Sequence, residues 1–196
     1  MQVGIIALQG DVSEHVEAVK RALRDKAQVV QIKRAGIVPN CQAIVLPGGE
    51  STTISQQLVS TGLAEEIKRA ASAGKPILAT CAGLVLAATN IKGNSSVKPL
   101  GLMNITISRN IFGSQRESFE TDLDVKGMNK PYRAVFIRAP GIVQAGKDVD
   151  ILAHAGNIAV AARQGNKLGL AFHPELTDDL RFHQLFVQMM QLAEEA

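Results

Sequence analysis

Tryptophan is absent from this chain of 196 residues, tyrosine occurs once and phenylalanine six times. The 21 Lys and Arg are scattered and form no stripe. With no aromatic stacking platform beside a basic face, nucleic-acid binding is not expected. Cysteine is scarce too. Cys41 and Cys81 stand in unlike settings and make no disulfide framework, which points to a reducing, cytoplasmic compartment. No apolar run is long enough to span a bilayer, and the opening "MQVGIIALQGD" has neither the basic leader nor the length of a signal peptide, so no membrane role is expected. The patterns G-x-G-x-x-G and G-x-x-x-x-G-K-[ST] do not occur, which leaves a nucleotide site without support. Internal repeats and linker-like segments are also missing. At 46% apolar residues and a net charge of +3, residues 1–196 read as a single globular domain.

What is present is alternation. Compact apolar runs at Gln2–Leu8, Ala27–Ile32, Ala43–Leu46 and Pro76–Thr80 read as buried strands. Between them, helical spacing runs over Ser13–Leu23, with Ser13 able to cap the start, and over Thr52–Ser60 and Leu63–Ala73. A helix from the end of the fourth run is expected to reach about Asn90. Strands alternating with helices imply right-handed crossovers, hence a mainly parallel sheet with helices on both faces, a three-layer α/β fold with a flavodoxin-like core. The second half carries short strand candidates at Leu102–Arg109, Glu120–Val125, Ala134–Ile137, Asp150–His154, Ile158–Arg163 and Leu168–Phe172, which suggest added antiparallel strands. An amphipathic helix over about Asp179–Leu192 closes the chain.

Chemistry concentrates where one strand turns over. In "ILATCAGLVL", residues 77 to 86, Cys81 stands between a strand pattern and a helix pattern with Ala82 and Gly83 behind it, the layout of a nucleophile elbow. The plain alternative is a small buried hydrophobe. A thiol nucleophile needs a base, and the base needs a group to orient it. His15 and His183 fall on helices among charged neighbours and read as solvated, and His154 reads as a turn residue. His173 differs: it follows the strand "LGLAF" and precedes Glu175 by two residues, a spacing that puts both on one side of an extended segment. Oxyanion donors are available from the backbone N–H of Ala82 and from "PGGES", residues 47 to 51, whose paired glycines can turn N–H groups toward a ligand. The same glycines also serve a tight strand-to-helix turn, with Ser51 or Thr52 as cap; both readings hold together.

The ordered set "PGGEST", "TCAGL" and "FHPE" resembles the class I, triad-type glutamine amidotransferases. "LQGD" after the first strand, "RNIFGSQRESFE" at 109–120, "FIRAP" at 136–140 and "FHPEL" at 172–176 are similar to the glutaminase subunits of pyridoxal 5′-phosphate synthase, a resemblance running from Leu8 to Leu176. It implies hydrolysis of L-glutamine to L-glutamate and ammonia, with Cys81 as nucleophile, His173 as base and then acid, and Glu175 orienting His173. It further implies that Gly49, Glu50 and Ser51 line the glutamine site, that Gly49 joins Ala82 in the oxyanion hole, and that Arg109 with the backbone at Ile137 and Arg138 holds the amino-acid head group. The partner implied is a (β/α)8-barrel synthase in a large hetero-oligomer, making pyridoxal 5′-phosphate from ribose 5-phosphate and glyceraldehyde 3-phosphate, with Gln9 and Gly10 as interface candidates. No cofactor or metal is expected. One departure is Ala79, where the elbow often carries glycine; the extra methyl calls for a slight adjustment only.

Three rivals remain at this level. The chain could serve another amidotransferase complex, such as imidazole glycerol phosphate synthase, against which "RNIFGSQRESFE" and "FIRAP" argue. An esterase or cysteine peptidase on a similar sheet would have no use for Glu50 and Arg109. A non-catalytic flavodoxin-like binding module would tolerate loss of Cys81.

Overall fold

The computed structural model describes residues 1–24, 26–93, 96–112 and 118–195. Five parallel strands form its centre: β1 (Gln2–Ile6), β2 (Gln28–Ile32), β3 (Ala43–Leu46), β4 (Ile77–Thr80) and β12 (Lys167–Leu170), in the spatial order β2-β1-β3-β4-β12. Every residue of β3 and β4 is buried, as expected for strands covered on both faces. The helices are α1 (Val12–Leu23), α2 (Ser51–Ser60), α3 (Leu63–Ser72), α4 (Ala82–Ala87) and α5 (Arg181–Glu195). The step from β1 to β2 and the step from β3 to β4 run in opposite directions along the sheet. Right-handed crossovers therefore place α1 on one face and α2 with α3 on the other. Helix α1 packs on α5, and α2 packs on α3 and α4.

Beyond β12 the sheet turns antiparallel through β11 (Ile158–Gln164), β9 (Gly141–Ala145) and β6 (Met103–Ser108), and ends on β5 (Ala88–Ile91), parallel to β6. Strand β10 (Asp150–Ala155) pairs with β11. A separate antiparallel pair, β7 (Ser118–Leu123) and β8 (Tyr132–Ile137), lies outside this sheet. The expected mainly parallel core with added antiparallel strands is what the chain forms.

Three local expectations are corrected. The helix after Cys81 stops at Ala87 instead of continuing to Asn90. The carbonyls of Leu86 and Ala87 accept from the N–H groups of Leu100 and Leu102, and the Thr89 hydroxyl donates to the Met103 carbonyl at 2.7 Å, which draws residues 88–91 into the sheet. Strand β9 is an addition to the strands the sequence pattern predicts; it follows Pro140 and has only five residues. Ser13 does not cap α1: Asp11 holds that position, and Ser13 donates to Glu14.

An aromatic cluster ties the hairpin to the end of β12. Phe119 stacks on Phe136 at 4.6 Å, and Tyr132, Phe136, Phe172 and Phe182 meet at centroid separations of 4.7–5.7 Å. Tyr132, Phe136, Phe172 and Phe182 are fully buried. Each such ring contributes about 1.5–3 kcal/mol by leaving water, and the cluster fixes the segment that follows Phe172.

The order of β2, β1 and β3 reverses direction at β1, and ligands bind open parallel sheets beside the carboxyl ends of strands at such a switch. The segments leaving β1, β3, β4 and β12 all emerge at that edge. Among the described residues, no helix is long and apolar enough to cross a membrane.

Candidate active site

Cys81 sits at φ 48° and ψ −106°, a backbone conformation that L side chains rarely adopt and that persists only when its surroundings enforce it. Here the Cys81 N–H donates to the Leu170 carbonyl at 2.8 Å and the Val85 N–H to the Cys81 carbonyl at 3.2 Å, so both ends of the turn are held. Two residues on, a side chain at Gly83 would strike the backbone of Leu46, which explains glycine there: α4 leaves the elbow in direct contact with β3. The thiol lies 3.7 Å from the Ile137 carbonyl oxygen. Ala79, beneath the elbow, is buried and paired between Leu46 and Gly169.

His173 and Glu175 meet as expected, Nδ1 to Oε1 at 2.7 Å, by a different route. Strand β12 ends at Leu170, and residues 174–176 form a short 3-10 turn, so a turn and not an extended segment brings the carboxylate under the ring. The His173 N–H donates to the Val135 carbonyl at 2.9 Å, which pins the base to β8. With the Nδ1 hydrogen directed to Glu175, Nε2 is left for the thiol.

Sequence reasoning missed a second carboxylate. Asp11 Oδ2 lies 3.3 Å from His173 Nδ1, and Asp11 makes no cap hydrogen bond to its own helix. A side chain at Gly48 would collide with both Asp11 and His173, each at 2.7 Å, so the bare backbone there lets the two approach. "LQGD" contained this residue, but nothing local assigns an N-cap aspartate to a histidine 162 positions away.

Burial opposes charge on His173, but hydrogen bonds to Asp11, the Cys81 thiol and Glu175, together with negative charge on the sulfur, raise its pKa to about 12. The arrangement favours an imidazolium at His173. Asp11 is lowered, chiefly by its hydrogen bond to His173 and against its partial burial. Glu175 is raised by burial, which the bond to His173 only partly offsets. The donor atoms of Asp11, His173 and Glu175 lie within 4.8 Å of one another, close enough for a metal, but a protonated Nδ1 offers no lone pair and the short bond to Glu175 makes the set a proton-handling one.

His15 and His183 correct the sequence reading most sharply. Neither is solvated; both are fully buried between α1 and α5, their rings 5.9 Å apart. His15 Nε2 lies 2.9 Å from the Thr80 hydroxyl and 3.3 Å from Glu175 Oε2. Burial pushes His15 down to about 3 and His183 to about 4. The clue was present: His15, Val19 and Leu23 recur at helical spacing, as do His183, Phe186 and Met190. His154 is exposed on β10.

The thiol opens onto a cleft of about 410 Å3, lined by Gly49, Glu50, Ser51, Cys81, Ala82, Arg109 and Arg138 among the expected residues, and by Val85, Asn110 and Pro140 beyond them. Its size suits a small molecule. Concavities of about 690 and 830 Å3 exist elsewhere, but neither is lined by a histidine or a cysteine. Glu50, and neither Ser51 nor Thr52, caps α2, accepting from the N–H groups of Thr52 at 3.0 Å and Thr53 at 2.7 Å. Those bonds outweigh the effect of burial and hold its carboxyl at about 2, an anion at any ordinary pH. Arg109 reaches it at 3.6 Å. Arg138 stands at φ 43°, a second strained position on the rim. Gly49 adopts φ 143° and has no room for a side chain against Gln9, Ile54 and Gly10. Gln9 and Gly10 are exposed at this edge; the Gln9 side chain accepts from the Glu50 N–H at 2.7 Å, and Gly10 packs on the Gly48 carbonyl. Residues 113–117 of the 109–120 segment lie outside the described residues. Cys41 is buried with its thiol 3.5 Å from the Ile37 carbonyl, and burial raises its pKa.

A strained cysteine at a strand–helix elbow with a His–Glu pair beside it, on a mainly parallel sheet between helices, is the layout of a three-layer α/β enzyme whose chemistry centres on a thiol. The chain belongs to the SNO glutamine amidotransferase family, whose family model matches residues 5–192. It is 59% identical over 187 residues to a protein of Methanothrix thermoacetophila named pyridoxal 5'-phosphate synthase subunit PdxT, covering 95% of this chain and 98% of that one. A protein of the same name from Archaeoglobus fulgidus is 51% identical over 195 residues, at 96% and 98% coverage. A solved structure titled "Crystal structure of glutamine amidotransferase" superimposes with a TM-score of 0.90 at 38% identity, covering 96% of this chain and 98% of that one. The structure of PurLQS from Thermotoga maritima shares the fold, with a TM-score of 0.68 at 17% identity over 97% of each chain.

Proposed function

We propose that this chain is the glutaminase subunit of a cytoplasmic pyridoxal 5′-phosphate synthase, and that residues 1–196 form one amidotransferase domain. The single observation that carries the catalytic part is His173, bonded at 2.7 Å to Glu175 at the same sheet edge as the thiol of a strained Cys81. Glutamine enters the cleft with its α-ammonium toward Glu50 and its carboxylate toward Arg109, assisted by Ser51 and by the backbone at Ile137 and Arg138. Its side-chain amide then reaches the sulfur. The Cys81 thiolate attacks the amide carbon, and the N–H groups of Gly49 and Ala82 take up the charge on oxygen. As the C–N bond breaks, the His173 imidazolium gives its proton to the nitrogen, so that ammonia leaves and a thioester remains. Water then attacks the thioester carbon while His173 takes its proton, the C–S bond breaks, and glutamate departs with the thiolate–imidazolium pair restored. Glu175 keeps the ring in the tautomer both steps need.

Ammonia is mostly protonated in water and no longer nucleophilic, so its value depends on passage into a second, sheltered site. The names of the relatives support a synthase partner. That partner is a (β/α)8 barrel converting ribose 5-phosphate and glyceraldehyde 3-phosphate, in a large hetero-oligomer, docked at the carboxyl edge of the sheet where Gln9 and Gly10 are exposed. Glutaminase turnover is measured for the chain alone and with the synthase; it should be weak alone and rise on docking. Ammonium salts should replace glutamine in a complex carrying Cys81→Ala. A free chain that is fully active and indifferent to the synthase sinks the gating, and failure of ammonium to rescue the mutant complex sinks the delivery role.

A further inference from the structure

His15 makes contacts that a packing residue has no need for. It sits in the second turn of α1, fully buried, with one nitrogen 3.3 Å from the Glu175 oxygen that His173 does not use and 2.9 Å from the hydroxyl of Thr80, the residue before the nucleophile. The tautomer follows from the neighbours. A lone pair on Nε2 facing a carboxylate at 3.3 Å would be repelled, and the hydrogen would then sit on Nδ1, which is buried and has no acceptor. With the hydrogen on Nε2, it reaches Thr80 Oγ1 at 2.9 Å and turns its positive end toward Glu175 Oε2, which lies 3.3 Å away, buried and without a hydrogen-bond partner; only an unused lone pair is left inside. The ring is held neutral by burial, so it supplies a donor without adding a charge.

We propose that His15 is a positioning residue of the glutaminase reaction: its Nε2–H, 3.3 Å from the second oxygen of Glu175, steadies that otherwise unpartnered oxygen by a charge–dipole contact, so that the first oxygen stays on Nδ1 of His173 through both proton transfers. A carboxylate tethered at one oxygen only can rotate about its last bond and loosen the His173 contact. Steadied at both, it has one orientation. The contact with Thr80 ties this support to the elbow, so base and nucleophile are referred to the same buried ring. The inference rests on the triad reading above, and the test separates the two.

The measurement is a double-mutant cycle on the glutaminase activity of the complex with its synthase, using His15→Phe, Glu175→Gln and both together. Phenylalanine keeps the volume and removes the donor. A donor held against a charged group is worth roughly a 10-fold rate or more when it acts in the chemical step. His15→Phe should therefore lower kcat roughly 10-fold with KM for glutamine within about 2-fold. His15→Gln, which restores an N–H near the Nε2 position, should recover most of that loss. In the Glu175→Gln background His15→Phe should cost less than about 2-fold, because the carboxylate it holds is gone. Should His15→Phe not fold, the same cycle is run with His15→Asn, whose shorter amide stops short of Glu175. An equal loss in both backgrounds, or wild-type kcat in His15→Phe while Glu175→Gln is impaired, overturns the proposal and leaves the triad standing. A harmless Glu175→Gln overturns the triad reading and this inference with it.

Discussion

Acid should loosen this protein from the inside, through His15 and His183. Each would titrate near 6.5 in the unfolded chain. Folded, burial and the charges of His183 and His173 hold His15 at about 3, and burial and Arg21 hold His183 at about 4. The groups facing the pair are Asp11, Arg21, Thr80, His173 and Glu175. A folded-state pKa below the unfolded one means that the unfolded chain binds protons first. Stability is therefore intact above about pH 6.5 and falls as pH drops from there toward the folded-state values. Between pH 7 and pH 5 linkage removes about 2 kcal/mol for each ring. His173 acts oppositely: its pKa is raised, so its contribution is fully present only below about 6.5 and grows by about 1 kcal/mol over the same interval. Glu175, raised by burial, works in the same direction as His173, while the lowered carboxyls of Asp11 and Glu50 cost stability only near and below their unfolded values of about 4. The three histidines together give a loss of about 3 kcal/mol, which Glu175 trims, against the 5–15 kcal/mol of an ordinary domain. Urea titrations at the two pH values measure it directly. With a slope of about 2 kcal/mol per molar urea, the midpoint should fall by about 1.5 M at pH 5, and His183→Phe should roughly halve that drop. Equal midpoints at pH 7 and pH 5, or an unchanged drop in His183→Phe, would refute the reasoning that both rings are buried neutral.

Cys81→Ser and Cys81→Ala should abolish glutamine hydrolysis with the fold intact, and an electrophilic glutamine analogue should add its mass to Cys81 and not to Cys41; mass spectrometry decides. His173→Ala should cost about 100- to 10,000-fold in turnover, as loss of a proton carrier does, and Glu175→Gln a smaller factor; a neutral Glu175→Gln beside a dead Glu50→Gln would show the orienting carboxylate misassigned. Asp11→Asn removes an acceptor and a charge from Nδ1, so the His173 pKa should fall and the alkaline limb of the glutaminase pH profile should move to lower pH; an unmoved limb would exclude Asp11 from the proton inventory. Gly83→Ala should keep a folded chain but slow hydrolysis about 100-fold or more, since a methyl 2.0 Å from the Leu46 carbonyl oxygen must displace the elbow by about an ångström or more, and wild-type kinetics would count against a rigid elbow.

The parallel core and its elbow were legible because they obey local rules. Ala43–Leu46 is a four-residue apolar run bounded by a turn, and it forms the strand of those bounds. Cys81 was legible because strand and helix patterns abut there. His173 and Glu175 were paired correctly by their spacing, although a 3-10 turn and no extended strand joins them. Residues 88–91 were not legible: nothing breaks the run after Ala87, and only distant partners at Leu100, Leu102 and Met103 pull it into the sheet. Asp11 and His15 escaped for a related reason. Their neighbours in sequence are polar and helical, and the side chains they meet lie far along the chain, at Thr80 and at His173 and Glu175. Charge near a histidine suggested solvent, whereas phase along the helix placed His15 with Val19 and Leu23, in the interior.

Strand β8 carries a consequence for geometry. Its Val135 carbonyl accepts from the His173 backbone, and its Ile137 carbonyl lies against the Cys81 sulfur. Two residues of extended chain measure about 6.6 Å, and alternate carbonyls of a strand point the same way. One strand outside the catalytic sheet therefore works as a gauge, with base and nucleophile each set against a fixed mark upon it. The stacked pair Phe119 and Phe136 clamps the gauge between those marks. A slip of a single residue in β8 would reverse both carbonyls at once, so the spacing of thiol and imidazole is written into the register of a hairpin that contributes no catalytic side chain.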